Sequence, residues 1–350
     1  MNRFTQFITS LCFAAAFTAC KKDSDPIITT PASVGNKLTL NGLIDTEPGS
    51  AAGNSVFVDF STDKQTSVAR ASWDLGFYSG ADFKVVLNNT VGATAIALTE
   101  VDLTKVTEAD TVALAAAGTL SLGQGVGGFA YIDPIEGVTE TYLAGTVIKT
   151  ISATDADNKV YIVNRGGKTG WQKIRVIRAG AGYTLQYAKI SDKTFKSLTI
   201  AKDGAFNFKY VSFSTGAVEV EPAKANWDIE WTLATSKANE TTPYTFSDFV
   251  LINFVGGVTA AEVLVADSKV NFADFAEANL STVKFVGKRE VIAGNWRLTV
   301  GKPIGVKTDR FYLVKDGAGN IYKLNFVSFH PSDGGVRGKP VIEYKLVKKA

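Results

Sequence analysis

The sequence has few of the side chains that bind metals or cross-link a chain. It contains one histidine, two cysteines and a single methionine, which is the first residue. These numbers exclude histidine-rich metal sites, zinc ribbons and a disulfide framework. An excess of one charge is also missing, because 37 Lys and Arg against 34 Asp and Glu leave a net charge of +3. A protein that binds nucleic acid through a strongly basic face is therefore excluded.

Apolar residues, in contrast, are plentiful enough for a packed core. Hydrophobic residues make up 45% of the 350 residues, and charged residues make up 20%. This composition is typical of a globular protein and not of a disordered one. The length allows two average domains or one large domain.

The N-terminus has the pattern of an export signal that ends in a lipidated cysteine. Arg3 supplies a positive charge, and the apolar stretch after it is shorter than the roughly 20 residues that cross a bilayer as a helix. Phe17-Thr18-Ala19-Cys20 resembles a bacterial lipobox. Residues 1–19 are therefore predicted to be a lipoprotein signal peptide, with Cys20 as the lipid attachment site. The alternative is an ordinary secretory peptide that contains a cysteine by chance.

The segment behind this cysteine is predicted to be a lipidated, flexible tether over residues 20–36. It holds two prolines and small polar residues and shows no helical period. Its polar start, residues 21–26, resembles the short charged signal of surface-displayed lipoproteins, and a solvated spacer is the alternative. Because Cys20 would be lipidated, no disulfide can form and the fold depends on its core.

The remaining sequence contains blocks that recur in the same order. WDLGF at 73–77 matches WDIEW at 227–231, and further blocks repeat at similar spacing. Such self-similarity predicts an internal duplication. The two units are residues 37–192 and 193–350, each close to the usual size of a domain. If the two units pack edge to edge, a cleft shared by them would be the natural binding site.

Both units have the patterns of antiparallel β-structure. Residues 206–213 and 322–329 alternate between aromatic or branched and polar side chains, as strands with one buried face do. Asp316–Asn320 is predicted to be a hairpin connector, because Gly and Asn accept positive φ angles. Helices are expected only at 101–117 and 272–280. The predicted fold is all-β, with two tandem antiparallel sheet or sandwich-like domains and few short helices.

The paired Trp-Asp strands, the C-terminal strand pair at 322–329 and 341–347, and the lipobox together resemble the HmuY family of Bacteroidetes haem-binding lipoproteins. The second unit is the closer match, and the first is a more diverged copy. The resemblance implies an all-β fold and an anchor in the outer membrane, with the protein exposed at the cell surface. It also implies haem acquisition from a host carrier protein or the medium, and delivery to an outer-membrane receptor.

The sequence departs from the family at the iron ligands. Haem binders of this family hold iron with two axial His or two axial Met side chains, and imidazole and thioether are both good haem ligands. The mature chain would contain one histidine and no methionine, so neither pair can form within one molecule. His330 is the remaining candidate for ligand binding, and a polar loop residue is its alternative. A tyrosine phenolate could also bind iron, but none of the 11 tyrosines stands out.

The recurring polar and aromatic residues have simpler structural interpretations. Asp74 and Asp228 occupy the same place in each unit, which favours a repeated strand-end hydrogen bond over paired catalytic carboxylates. Trp73, Trp227 and Trp231 are expected to be core residues and not a platform for sugars. No activated nucleophile or metal cluster is visible, so no enzyme activity, catalytic residue or metal site is predicted.

Two functions from different classes remain. The first is a ligand-binding surface lipoprotein of haem or porphyrin acquisition, without the family's axial ligand pair and with haem as a candidate cofactor. The alternative is a non-haem adhesion or interaction module on the same scaffold. An aromatic pocket and a change in the haem spectrum would favour the first.

Overall fold

Antiparallel strands form most of the regular structure in the described part of this protein. The computed structural model describes residues 31–123, 127–166 and 170–350. The strands are β1 Gly35–Thr39, β2 Asn54–Asp59, β3 Lys64–Ala69, β4 Leu75–Tyr78, β5 Val85–Leu87, β6 Thr94–Ala97, β7 Val160–Asn164, β8 Gln172–Ala179, β9 Gly182–Lys189, β10 Lys196–Ile200, β11 Phe208–Ser212, β12 Gly216–Val218, β13 Ile229–Lys237, β14 Pro243–Ile252, β15 Thr259–Leu264, β16 Arg297–Leu298, β17 Gly305–Val306, β18 Arg310–Lys315, β19 Ile321–Ser328 and β20 Val341–Lys348.

Helices are few and short. The α-helices are α1 Ala109–Ala116, α2 Thr139–Ala144 and α3 Val265–Ser268. The 3₁₀ turns are Gly49–Ala51, Arg70–Ser72, Asn89–Val91, Leu103–Lys105, Phe129–Tyr131, Asp155–Asp157, Glu277–Thr282 and Pro331–Asp333. Within the described residues, no helix is long and apolar enough to span a bilayer. The all-β prediction is confirmed.

Four antiparallel sheets and one small two-stranded sheet organise these strands. Two sheets have five strands each, in the orders β1-β20-β19-β18-β15 and β10-β9-β8-β7-β6. Two have four strands each, in the orders β12-β11-β4-β5 and β14-β13-β2-β3. The hairpin predicted at Asp316–Asn320 joins β18 to β19, and Gly319 adopts a φ of 104° that glycine accepts without strain.

The sheets combine strands from both sides of the predicted boundary at residues 192 and 193. The hairpin β2–β3 pairs with β13 through Val56–Val58, while β4 pairs with β11 of the second unit. The N-terminal strand β1 lies beside β20, the last strand of the chain. Residues 32–350 accordingly form one compact unit. The duplication itself stays a prediction about the sequence.

Two large cores lie between the sheets. The first core contains Val56 on β2 and Phe60 directly after this strand. These two residues pack with Trp231, Tyr322 and Tyr344, and all five have no more than 1% of their surface exposed. The other is formed by side chains of β4 to β11, namely Leu75, Phe77, Val85, Ile174, Tyr183, Leu185, Val211 and Phe213. Burying a large apolar side chain contributes about 1.5–3 kcal/mol, so each core stabilises the fold strongly. Both cores depend on strands that are distant in sequence.

Asp74 and Asp228 lie at the ends of strands, where each accepts a backbone hydrogen bond. Asp228 Oδ2 accepts from Phe60 N at 2.8 Å, and Asp74 Oδ2 accepts from Phe213 N at 2.7 Å. Asp74 also forms a two-point ion pair with Arg165, at 2.9 and 3.0 Å. The prediction of a repeated strand-end role is confirmed. The expected burial of the tryptophans is confirmed too, since Trp73, Trp227 and Trp231 are 6%, 8% and 0% exposed.

The two predicted helical segments differ in outcome. Residues 101–117 contain α1 and a 3₁₀ turn, as expected for a short helix in this region. Residues 272–280 hold no α-helix, which corrects the prediction, and the 3₁₀ turn Glu277–Thr282 takes its place. Here Phe272 and Phe275 pack on Phe311 at 6.0 and 5.3 Å between ring centroids. This tertiary packing fixes the segment in an irregular conformation that periodicity alone does not predict.

Candidate functional site

The lone histidine lies in a turn that its own ring helps to close. His330 precedes the 3₁₀ turn Pro331–Asp333 and is half-buried. Its Nδ1 accepts from Ser332 N at 3.2 Å and lies 2.9 Å from Ser332 Oγ. The residue lines neither the cavity nor the groove described below. Its role in binding stays a prediction, and Cys20, the predicted lipid attachment site, lies outside the described residues.

A cavity of about 80 Å³ lies where the two predicted units meet. One side comes from the segments around Phe57, Trp73 and Tyr142, and the other from those around Tyr210 and Trp227. The full lining is Phe57, Trp73, Val86, Leu87, Asn89, Thr90, Tyr142, Asn207, Phe208, Tyr210, Val220, Glu221, Trp227, Glu230, Leu251, Ile252, Asn253, Phe254, Val255 and Arg289. Residues from both predicted units thus line the same cavity. We call it the central cavity.

Seven of the twenty residues that line the central cavity are aromatic. Phe57 packs edge-on against Trp227 with centroids 5.1 Å apart, and Trp73 packs edge-on against Tyr210 at 4.8 Å. These rings come together because strands that are distant in sequence pair with each other. Phe57 lies on β2 and Tyr210 on β11, which are interior strands of different sheets. Edge-to-face pairs of this kind are mutually attractive and hold the rings rigidly.

Glu221 is the most strongly perturbed acid of the central cavity. Its Oε1 accepts from Phe208 N at 2.7 Å, and its Oε2 accepts from Asn207 Nδ2 at 3.5 Å. Burial raises the pKa of Glu221 to about 8, against the lowering effect of these hydrogen bonds. Burial likewise raises the pKa of Tyr210 well above its ordinary value. Both side chains are therefore protonated at neutral pH.

A second acid and an arginine complete the polar part of the lining. Burial raises the pKa of Glu230, against the lowering effect of the Ser55 hydroxyl and of the positive charges of Arg289 and Arg70. Arg289 is 3% exposed, donates from Nη1 to the carbonyl oxygen of Ile135 at 3.0 Å, and lies 5.7 Å from the Tyr142 ring centroid. Sequence reasoning missed these residues. The one available signal was the change from Gly76 to Glu230 between the two Trp-Asp blocks, which places a carboxyl on the strand face opposite the core.

A wider groove opens on the surface beside α1. It measures about 980 Å³, and its lining includes Val112, Trp171, Lys189, Ile190 and Arg165. Val112 is 66% exposed and Lys189 is exposed, whereas Ile190 packs into the sheet. A concavity of about 380 Å³ continues the groove and shares with it Arg165, Gln172 and Lys189. We call the larger concavity the α1 groove.

Neither the central cavity nor the α1 groove offers a pair of axial ligands for haem iron. The central cavity is far below the roughly 300–1,000 Å³ of ordinary ligand sites, and its tyrosines are protonated. The described residues that line the α1 groove include no His, Met, Cys or Tyr. No cluster of three metal-binding His, Cys, Asp or Glu side chains occurs in the described part of the chain. The described residues that line these two places therefore offer no pair of His or Met side chains for axial ligation of haem iron.

Comparison with protein families gives a match over most of the chain. The family described as HmuY protein matches residues 51–344. Searches among curated proteins and among solved structures give no match. The matched range includes the central cavity, the α1 groove and both Trp-Asp strands, whereas the lipobox at residues 17–20 lies outside it. The chain belongs to the HmuY family.

Proposed function

We propose that this protein captures haem or a related porphyrin at the cell surface and holds the ring without a pair of axial ligands. The HmuY family is a haem-binding, surface-associated family and not an enzyme family. The observation that carries the proposal to this chain is the α1 groove. It combines sufficient volume with the apolar side chains of Val112 and Trp171 and the exposed Lys189, beside one acid, Glu108.

The size and polarity of the α1 groove suit a tetrapyrrole. Its volume of about 980 Å³ lies at the upper end of ordinary ligand sites. Trp171 and Val112 offer apolar surface to a flat ring, and aromatic faces favour stacked contact with such rings. Lys189 provides an exposed ammonium group for a propionate carboxylate. Arg165 is already paired with Asp74, so Lys189 is the main basic contact.

Anchoring by lipid at Cys20 is part of the same proposal. Lipid chains on this cysteine would hold the folded part at the outer membrane through the tether at 20–36. A host haem carrier would be the source of the ligand, and an outer-membrane receptor would be its acceptor. A change of Cys20 to Ala should release the protein from the membrane fraction into the soluble fraction.

The groove assignment is tested by porphyrin titration of the purified protein, followed by absorbance and by tryptophan fluorescence. We expect saturable binding that Trp171→Ala weakens about tenfold or more, which corresponds to about 1.4 kcal/mol. Lys189→Glu should weaken binding most at low salt, because it replaces attraction to a carboxylate with repulsion. Lys64→Glu is the matched control, since Lys64 is exposed on β3 of a different sheet.

The alternative, a non-haem adhesion or interaction module, rests on the missing axial ligands. It predicts that neither haem nor metal-free porphyrin changes the absorbance or fluorescence in a saturable way. That result would refute the proposed function. Equal binding by wild-type protein and both groove variants would instead refute the location of the site.

A further inference from the structure

We propose that the central cavity is a second binding site, which takes a small alkylated ammonium ion. This site is separate from the α1 groove and shares none of its lining residues. The inference is independent of porphyrin binding. It rests on the aromatic walls, the charge balance and the size of the cavity.

The first argument is the arrangement of the rings. Phe57, Trp73, Tyr210 and Trp227 come from four separate segments and line the same small space. Cations are attracted to the faces of aromatic rings within about 6 Å, and tryptophan is the strongest of these partners. Sites that recognise quaternary ammonium groups use such surrounding rings. An apolar ligand would gain nothing from the acids of the same lining.

The second argument is the charge of the lining. It contains two carboxyl groups, Glu221 and Glu230, and one guanidinium group, Arg289. In the described part of the chain, no Lys or Arg nitrogen lies within 4 Å of either glutamate carboxylate. Neither glutamate therefore has a salt-bridge partner among the described residues, and among charged groups only the more distant Arg289 and Arg70 favour the ionised form of Glu230. A bound ammonium ion would restore the balance, since its positive charge favours the carboxylate form.

The third argument is size. A cavity of about 80 Å³ has room for several water molecules or for one small head group. It cannot hold a porphyrin, which keeps the two sites distinct. Glu230 and Tyr210 line this space and keep part of their surface accessible. The occupant that fits rings, acids and volume together is a methylated ammonium group, as in tetramethylammonium or the head of choline.

Binding of a cation should be coupled to release of a proton from Glu221. Burial keeps this carboxyl protonated up to a pKa of about 8, and a nearby positive charge lowers that pKa. The charged or titratable groups around it are Tyr210, Glu230, Tyr142 and Arg289, with Arg70 acting on Glu230 from outside the lining. Affinity should thus rise with pH until Glu221 is ionised without the ligand.

The experiment is calorimetric titration of the full chain with tetramethylammonium and with choline. The neutral probe of the same shape is 3,3-dimethylbutan-1-ol. We expect binding of the two cations that is at least about tenfold tighter at pH 9 than at pH 6, and no binding of the alcohol. Fluorescence of Trp73 and Trp227 provides a second readout.

Variants of Glu221 and Glu230 distinguish a specific loss of cation binding from a general effect on the fold. Glu230→Gln should weaken cation binding about tenfold or more, and Glu221→Gln should remove the pH dependence. Glu219→Gln is the matched control, because Glu219 lies two residues from Glu221 with its side chain 79% exposed. Circular dichroism verifies folding of each variant. The inference is overturned if neither cation binds at about 10 mM, if the alcohol binds equally well, or if both acid variants bind like wild type.

Discussion

Glu221 should make the stability of this protein fall as the pH rises, and Glu221→Gln should remove that fall. Burial raises the pKa of the carboxyl from 4.5 to about 8. Between these pH values the folded state holds a proton that the unfolded state has lost. Stability then decreases with increasing pH, because the unfolded state binds fewer protons. The contribution is absent below the unfolded pKa and complete above the folded one.

The magnitude follows from the width of that window. Each pH unit within it lowers the free energy of unfolding by up to about 1.4 kcal/mol, so the loss across it is on the order of 5 kcal/mol. Glutamine cannot ionise and keeps an oxygen that accepts from Phe208 N. The variant should therefore be less affected by alkaline pH and more stable than wild type at pH 9.

The assay is urea unfolding of both proteins at several pH values from about 4 to 9. Asp133 and Asp228 also have raised pKa values, and they contribute equally to wild type and variant. The difference between the two proteins isolates Glu221. A difference in unfolding free energy that stays constant from pH 5 to pH 9 would refute the reasoning.

Three further changes have expected outcomes in denaturant unfolding and haem spectroscopy. Asp74→Ala should destabilise by about 3–5 kcal/mol, because it leaves Arg165 unpaired and Phe213 N without its acceptor, and a loss below about 1 kcal/mol would contradict this. Asp228→Ala should cost about 1–3 kcal/mol through the unsatisfied Phe60 N, and an unchanged denaturation midpoint would speak against that hydrogen bond. His330→Ala should cost less than about 1 kcal/mol and leave any haem spectrum unchanged, whereas a lost Soret band would identify it as a ligand.

Local features of the fold could be predicted from the sequence. The period-two alternation at 322–329 corresponds to β19, and the Gly- and Asn-containing turn at Asp316–Asn320 is the expected hairpin connector. The recurrence of Asp74 and Asp228 was sufficient to predict a structural role at strand ends. Each of these inferences depends on residues that are close in sequence or on the repeat itself.

The pairing between distant strands could not be predicted. Nothing in the pattern of β2 distinguishes pairing with β13 from pairing within its own unit, because both would bury the same face. The residues that line the central cavity could not be predicted for the same reason. Phe57 and Trp227 come into contact because β2 pairs with β13. Glu221 gave no signal, because an acid in a polar stretch resembles a solvated one until its neighbours are known.

The central claim is that this member of the HmuY family binds the porphyrin ring without two axial ligands to the metal. The most direct test compares the affinities for ferric haem and for metal-free protoporphyrin, with an optical and paramagnetic resonance spectrum of the haem complex. The account predicts affinities within about tenfold of each other and no six-coordinate low-spin signal. A six-coordinate low-spin spectrum, with haem bound at least about a hundredfold more tightly than the metal-free ring, would contradict it.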